Sequence, residues 1–332
     1  MSSSFLVIGA GSWGTALALL LANNGNTVQL WSHEPEHREA MRHDGENQKY
    51  LPGHAFPNNL SVVDDYLAAV AENAYILIAV PSHAFASIVH ELKTTLPNDK
   101  GLVWATKGLD PASGEFLSEI AEETLGKRPL AILTGPSFAK EVAIGHPTAV
   151  VLATNDQHFG TELQQHFHSP AFRTYVSHDM IGAQLGGAVK NVLAIAVGVA
   201  AGLKFGTNTK ALLITRGLAE MMKLGTALGA EIETLVGLSG LGDLVLTCSD
   251  NQSRNLRFGT ALGEGKNKED ACKAIKQVVE GINTTQQIYQ LAQKHDVDMP
   301  IVTEMYHLLY EGITPKEAVT ALITRKVGKE FK

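Results

Sequence analysis

Before Asp179, short apolar runs recur at intervals that leave room for a helix between most of them. They are Phe5–Ile8, Thr27–Trp31, Tyr75–Val80, Leu102–Thr106, Leu130–Leu133, Ala149–Ala153 and Arg173–Val176. Each is rich in Val, Ile and Leu and mostly apolar throughout, as a strand covered on both faces must be. Segments such as Trp13–Asn23 and Ser82–Leu96 supply the intervening helices. Alternating strand and helix predicts an α/β chain with a mostly parallel, doubly wound sheet.

The pattern changes near residue 180. Met180–Leu203, Lys210–Leu228, Arg254–Glu264, Lys268–Lys276, Thr284–His295, Ile301–Glu311 and Pro315–Leu322 read as helices, punctuated by residues such as Gly229, Gly265 and Pro300. The expectation is two domains, 1–179 with the sheet and 180–332 all helical, joined through a helix and sharing a cleft. A length of 332 residues suits two cores.

Composition narrows the partners. A formal charge of −7 disfavours nucleic acid and anionic membranes, so an anionic substrate needs local positive charge. Cys248 and Cys272 form neither a CxxC pair nor a metal-ligand cluster, which suggests a reducing compartment and no metal. Met1-Ser2-Ser3-Ser4 lacks the basic start of a signal peptide. The run Val192–Leu203 is shorter than the roughly 20 residues a membrane span needs. A cytoplasmic location without membrane insertion is expected.

Gly9-Ala10-Gly11-Ser12-Trp13-Gly14 fits GxGxxG and lies between the first strand and the first helix. That context is what dinucleotide binding requires. Gly9 permits the tight turn, Gly11 lets backbone approach a pyrophosphate, and Gly14 lets helix and strand pack closely. The second strand ends in Leu30-Trp31-Ser32-His33-Glu34, where Ser32 and His33 replace the carboxylate that usually binds a ribose 2′-hydroxyl. This predicts use of NADPH, with NADPH preferred over NADH. Ala79-Val80-Pro81-Ser82 ends a later strand and suits a helix start.

Ketone reduction needs a proton for the oxygen. Lys190 lies early in a strongly apolar helix, where a lysine either reaches solvent or serves a cleft. Burial would lower its pKa from about 10.4 towards the working pH. Lys107 follows a strand at the sheet edge where open α/β folds bind ligands. Gly237–Asp243 reads as a Gly-rich loop between helices, with Asp243 placed to hold Lys190 or a substrate hydroxyl. Ser253-Arg254-Asn255 reads as an N-cap whose amides, hydroxyl and guanidinium suit a phosphate.

Taken together, Gly9–Gly14, Trp104–Gly108, Gly135-Pro136-Ser137-Phe138-Ala139, Gly187–Asn191, Gly237–Cys248, Ser253–Asn255 and Val278-Val279-Glu280-Gly281 resemble the bacterial-type NAD(P)-dependent glycerol-3-phosphate dehydrogenases. The motifs occur in the family's order along essentially the whole chain. The resemblance implies a Rossmann-type first half, reduction of dihydroxyacetone phosphate, a homodimer, and a product feeding phospholipid synthesis. It implies that Ser12, Trp13, His33, Tyr50, Lys107, Ala139, Arg254, Val278 and Glu280 contact the cofactor. It implies that Lys107, Gly135, Ser137, Lys190, Asp243, Ser253, Arg254 and Asn255 line the substrate pocket, with Lys190 the proton donor. A related 3-hydroxy acid dehydrogenase and a non-catalytic NAD(P)H-binding sensor are the alternatives. The first lacks need of a phosphate site; the second gives no reason for Lys107 and Lys190.

Overall fold

Ser4–Ile8 forms β1 at the middle of the main sheet in the computed structural model, which describes residues 3–275 and 278–324. The other strands are β2 (Thr27–Trp31), β3 (Glu46–Asn47), β4 (Leu51–Ala55), β5 (Leu60–Val62), β6 (Tyr75–Ile78), β7 (Leu102–Trp104), β8 (Leu130–Thr134), β9 (Thr148–Thr154) and β10 (Phe172–Ser177). Eight of them build one sheet in the order β10-β9-β8-β7-β6-β1-β2-β5, and β3 and β4 pair separately as a hairpin. All neighbours in the large sheet are parallel except β8 and β9. β1 pairs with β2 on one side and β6 on the other, so the winding reverses there. Ligands of such sheets bind beyond the strand ends at that reversal.

The apolar runs are continuous because both sheet faces are covered. Phe5 and Val7 join one core with Leu77, Val103 and Leu133. Leu6 and Ile8 join the opposite core with Ile76, Trp104 and Ile132. Each such side chain contributes about 1.5–3 kcal/mol on burial. The helices α1 (Ser12–Asn23), α2 (Pro35–Asp44), α3 (Tyr66–Ala69), α4 (Ser82–Leu92), α5 (Leu117–Leu125), α6 (Ala139–Ala143) and α7 (Gln157–Phe167) lie among these strands.

The remaining described residues are helical: α8 (Met180–Gly202), α9 (Thr207–Ala227), α10 (Ile232–Val236), α11 (Asp243–Ser249), α12 (Arg254–Gly263), α13 (Lys268–Ile275), α14 (Glu280–Lys294), α15 (Pro300–Tyr306) and α16 (Pro315–Ile323). By length and hydropathy α8 could cross a bilayer, but 94% of its most apolar window is buried inside the fold. It is the central helix of the helical half. Its tightest partner is α12: a Cβ on Gly198 would sit 2.2 Å from the Leu256 carbonyl, and one on Gly259 2.1 Å from that of Ile195. Only glycine allows the two backbones to touch there.

Several expectations need correction. The β3–β4 hairpin and β5 were not foreseen, because Glu46–Val62 has little apolar patterning. β6 and β7 stop at Ile78 and Trp104, short of Val80 and Thr106. Lys190 sits in the middle of α8, not early in it. Gly237–Asp243 is not a loop: Leu238–Gly242 forms a π-helical turn, with Gly242 N–H bonded to the Gly237 carbonyl at 3.0 Å, and it links α10 to α11. A Cβ on Gly240 would lie 2.0 Å from the Leu235 carbonyl, so glycine permits the wide turn. Lys276, the expected end of α13, and residues 325–332 of the second half fall outside the described residues.

Candidate active site

Glycine spacing shapes the first half of the site. Gly9 follows β1 with φ +116°, and a Cβ there would come within 2.6 Å of the Ala79 carbonyl after β6. A Cβ on Gly14 would sit 1.9 Å from the Gly9 carbonyl, so α1 rests directly on the turn. Gly11 differs, because its Cβ direction meets nothing within 4 Å. The turn is thus packed below and open above, at the N-terminus of a 12-residue helix with no side-chain cap. Free N–H groups and the helix dipole there suit a pyrophosphate. Trp13 adds an Nε1 that is buried with no hydrogen-bond partner among the described residues. These residues fit a nicotinamide dinucleotide.

The hairpin flanks this turn. Ser12 Oγ donates to the Tyr50 carbonyl at 2.7 Å, which joins two of the expected cofactor residues. His33 lies beyond β2 with 78% of its side chain exposed, 3.7 Å from Glu34. Glu34 is the N-cap residue of α2, and its carboxylate pairs with Lys49 at 2.5 Å.

The second half of the site is a buried charge cluster. Asp243, 1% exposed, receives Lys190 Nζ on Oδ1 at 2.5 Å and Lys107 Nζ on Oδ2 at 2.7 Å. Lys107 also donates to the Gly135 carbonyl at 3.0 Å, which takes the Ser137 hydroxyl at 3.0 Å as well. Thr247 Oγ1 donates to the Asp243 carbonyl at 2.6 Å. The π-helical turn makes the cluster possible. A Cβ on Gly186 of α8 would lie 2.4 Å from the Ser239 carbonyl, so the two helical segments touch and Asp243 meets Lys190.

Two ammoniums face one carboxylate. Burial alone would raise the Asp243 pKa, but Lys107 and Lys190 outweigh it and hold the carboxyl below its ordinary value. For Lys190 burial dominates, opposed by Asp243 and reinforced by Lys107, and the ammonium pKa falls to about 8. An amine at that value exchanges a proton near neutral pH.

The phosphate-binding expectation meets a partly occupied set of groups. Ser253 Oγ caps α12 by accepting from Leu256 N–H at 3.2 Å. Asn255 is buried and spans Asn191 Oδ1, at 2.8 Å from its Nδ2, and the Gly281 N–H, at 3.1 Å from its Oδ1. Arg254 is exposed at the helix start. Its charge, with those of Lys190, Lys107 and His83, lowers the Glu280 pKa, although burial keeps it above the ordinary value. Glu280, Arg254 and both lysines therefore share one field. Val278 is half-exposed, and Ala139 opens α6 just beyond Gly135 and Ser137. Asn191 was not singled out from sequence. Its partner is 64 residues away and leaves no local signal. Among the described residues no group of three or more His, Cys, Asp or Glu is arranged to hold a metal.

The family models for the N- and C-terminal parts of NAD-dependent glycerol-3-phosphate dehydrogenase match residues 4–160 and 179–320. The glycerol-3-phosphate dehydrogenase [NAD(P)+] of Bartonella henselae is 50% identical over 330 residues, 99% of this chain and 97% of that one. This chain belongs to the NAD-dependent glycerol-3-phosphate dehydrogenase family. A second relative, from Colwellia psychrerythraea, is 51% identical over 98% of both chains. The crystal structure of glycerol-3-phosphate dehydrogenase from Coxiella burnetii superposes with a TM-score of 0.94 at 47% identity, covering 98% of this chain and 99% of that one. For this glycerol-3-phosphate dehydrogenase family member, NADH and NADPH are the cofactors to consider, as anticipated from GxGxxG and its strand–helix context.

Proposed function

We propose that the chain reduces dihydroxyacetone phosphate to sn-glycerol 3-phosphate, reversibly, with NADPH or NADH. The observation that carries the reading is the Lys107–Asp243–Lys190 cluster, in which Lys107 follows the end of β7 as the glycine turn follows the end of β1 in the same sheet. When bound, the reduced nicotinamide supplies the hydride for C2. Gly11, Ser12 and Trp13 hold the dinucleotide, with His33, Tyr50, Ala139, Val278 and Glu280 around it. Absence of a carboxylate at His33 supports acceptance of a 2′-phosphate.

Lys190 gives its proton to the C2 oxygen as negative charge develops there, and its ammonium stabilises that charge beforehand. Asp243 keeps the amine aimed and protonated. Lys107, fixed between Asp243 and Gly135, orients the carbonyl side of the substrate. Arg254 at the start of α12, with Ser253 and Asn255, takes the phosphate and so sets the position of C2. In oxidation the neutral Lys190 amine takes the proton back.

The same reading includes a dinucleotide-binding domain at 1–179 and a substrate domain at 180–332. Family resemblance further supports a cytoplasmic homodimer whose product enters phospholipid synthesis. The test is direct. Purified protein is mixed with dihydroxyacetone phosphate and each reduced cofactor, and nicotinamide oxidation is followed. Turnover is expected with both cofactors, and none with unphosphorylated dihydroxyacetone or 3-oxo acids. No oxidation with the phosphorylated ketone, or equal rates without the phosphate, would overturn the reading.

A further inference from the structure

Asn47 is wholly buried in the β3–β4 hairpin, and its amide makes hydrogen bonds in every direction available to it. Nδ2 donates to the Ala10 carbonyl at 2.9 Å and to Thr15 Oγ1 at 2.8 Å. Oδ1 accepts the Tyr50 backbone N–H at 3.1 Å and lies 2.9 Å from His37 Nε2. The backbone groups fix which amide atom is oxygen, since Tyr50 N–H can only donate and the Ala10 carbonyl can only accept. His37 Nε2 must then carry a hydrogen. In the neutral ring Nδ1 is left to accept from Ser32 Oγ, 2.9 Å away. His37 and Ser32 are themselves buried. A fully satisfied chain thus runs from the end of β2 through α2 and the hairpin to the middle of the glycine turn.

The geometry of a trans peptide gives this chain a consequence. Carbonyl and N–H of one peptide unit point in opposite directions. Holding the Ala10 carbonyl inward on Asn47 turns the Gly11 N–H outward. Separately, a Cβ on Gly11 would meet nothing within 4 Å, so no neighbouring group crowds that residue. We propose that Asn47 is a positioning residue for the dinucleotide: it locks the Ala10–Gly11 peptide so that its N–H is aimed at the pyrophosphate, and His37 keeps the Asn47 amide in the orientation that does so. The proposal rests on the reading of Gly9–Gly14 as the pyrophosphate cradle.

Asn47→Asp tests it, because a carboxylate cannot donate to the Ala10 carbonyl and repels it. Binding of NADPH and NADH to the free protein is measured by titration, alongside kcat and the KM for dihydroxyacetone phosphate at saturating cofactor. The expected result is at least about tenfold weaker binding of both cofactors alike, with kcat and the ketone KM within about threefold. Equal loss for both cofactors follows because the pyrophosphate is common to them. A loss confined to one cofactor would locate the effect at the ribose and overturn the proposal, as would unchanged affinity. His37→Gln should weaken both cofactors by about threefold. If Asn47→Asp does not fold, His37→Gln decides, and unchanged affinity for both cofactors overturns the proposal. Gly11→Val separates the layers: it should abolish cofactor binding by filling the cradle. Normal binding by Gly11→Val would sink the cradle reading itself, whereas loss in Gly11→Val with normal binding in Asn47→Asp would sink only the role of Asn47.

Discussion

Lys190 and Asp243, 53 residues apart in sequence, meet at 2.5 Å inside the protein, and the second carboxylate oxygen is held by Lys107 at 2.7 Å. One carboxylate between two ammoniums leaves the cluster with a net positive charge, with Lys190 and Asp243 both buried. Such a site favours an oxygen that becomes negative and is able to release one proton.

The proton comes from Lys190, so reduction needs the ammonium and oxidation needs the amine. With the pKa lowered to about 8, reduction should lose rate above pH 8, towards tenfold per unit, while oxidation gains rate through the same pH. Profiles of kcat/KM in both directions check this. Midpoints near the ordinary lysine value of about 10.4 would contradict it.

Asp243→Asn removes the group that raises the Lys190 pKa, leaving burial and Lys107, which lower it. The midpoint of the reduction profile should move further down. Stability should also fall, by roughly 3 kcal/mol or more, because the Lys190 ammonium remains buried without its counter-ion. A thermal melt and the pH profile of the variant test both parts.

Arg254→Ala should act on substrate binding. Removing the exposed guanidinium at the start of α12 is expected to raise the KM for dihydroxyacetone phosphate about tenfold or more while changing kcat less. Steady-state kinetics at saturating cofactor provide the check.

Glu220 predicts a separate effect on stability. Its buried carboxylate in α9 accepts the Ile301 N–H at 2.8 Å and the Val302 N–H at 3.3 Å, tying α9 to the start of α15. Burial still pushes its pKa up to about 7. Because the folded value lies above the unfolded one, the native state binds more protons between them. Stability from this group is therefore complete below about pH 4.3 and is lost as pH rises through 7, by at most about 4 kcal/mol. Glu220→Gln should flatten the Tm profile between pH 5 and 8; an unchanged slope would remove Glu220 as its source.

Much of this was legible in the sequence for a physical reason. Strands covered on both faces must be apolar along their length, so β1, β6 and β8 stood out. The glycine turn was legible because each glycine answers a separate steric demand, seen at Gly9, Gly11 and Gly14. Lys190 and Asp243 were identifiable as residues, but their contact was not, since it depends on a π-helical turn that Gly237–Gly242 disguises as a loop. The β3–β4 hairpin, and its tie to α2, were illegible because polar Asn47 of β3 and His37 of α2 occupy buried positions. Their fitness for burial comes from partners such as Ala10 and Ser32, supplied by other elements.

The most direct measurement is turnover of Lys190→Ala with dihydroxyacetone phosphate and NADPH, read beside its affinity for NADPH alone. Lys107 remains to neutralise Asp243, so the fold should persist. The account predicts a kcat lower by about 10²–10⁴ with cofactor affinity within about threefold of the parent. A kcat close to that of the parent would contradict it.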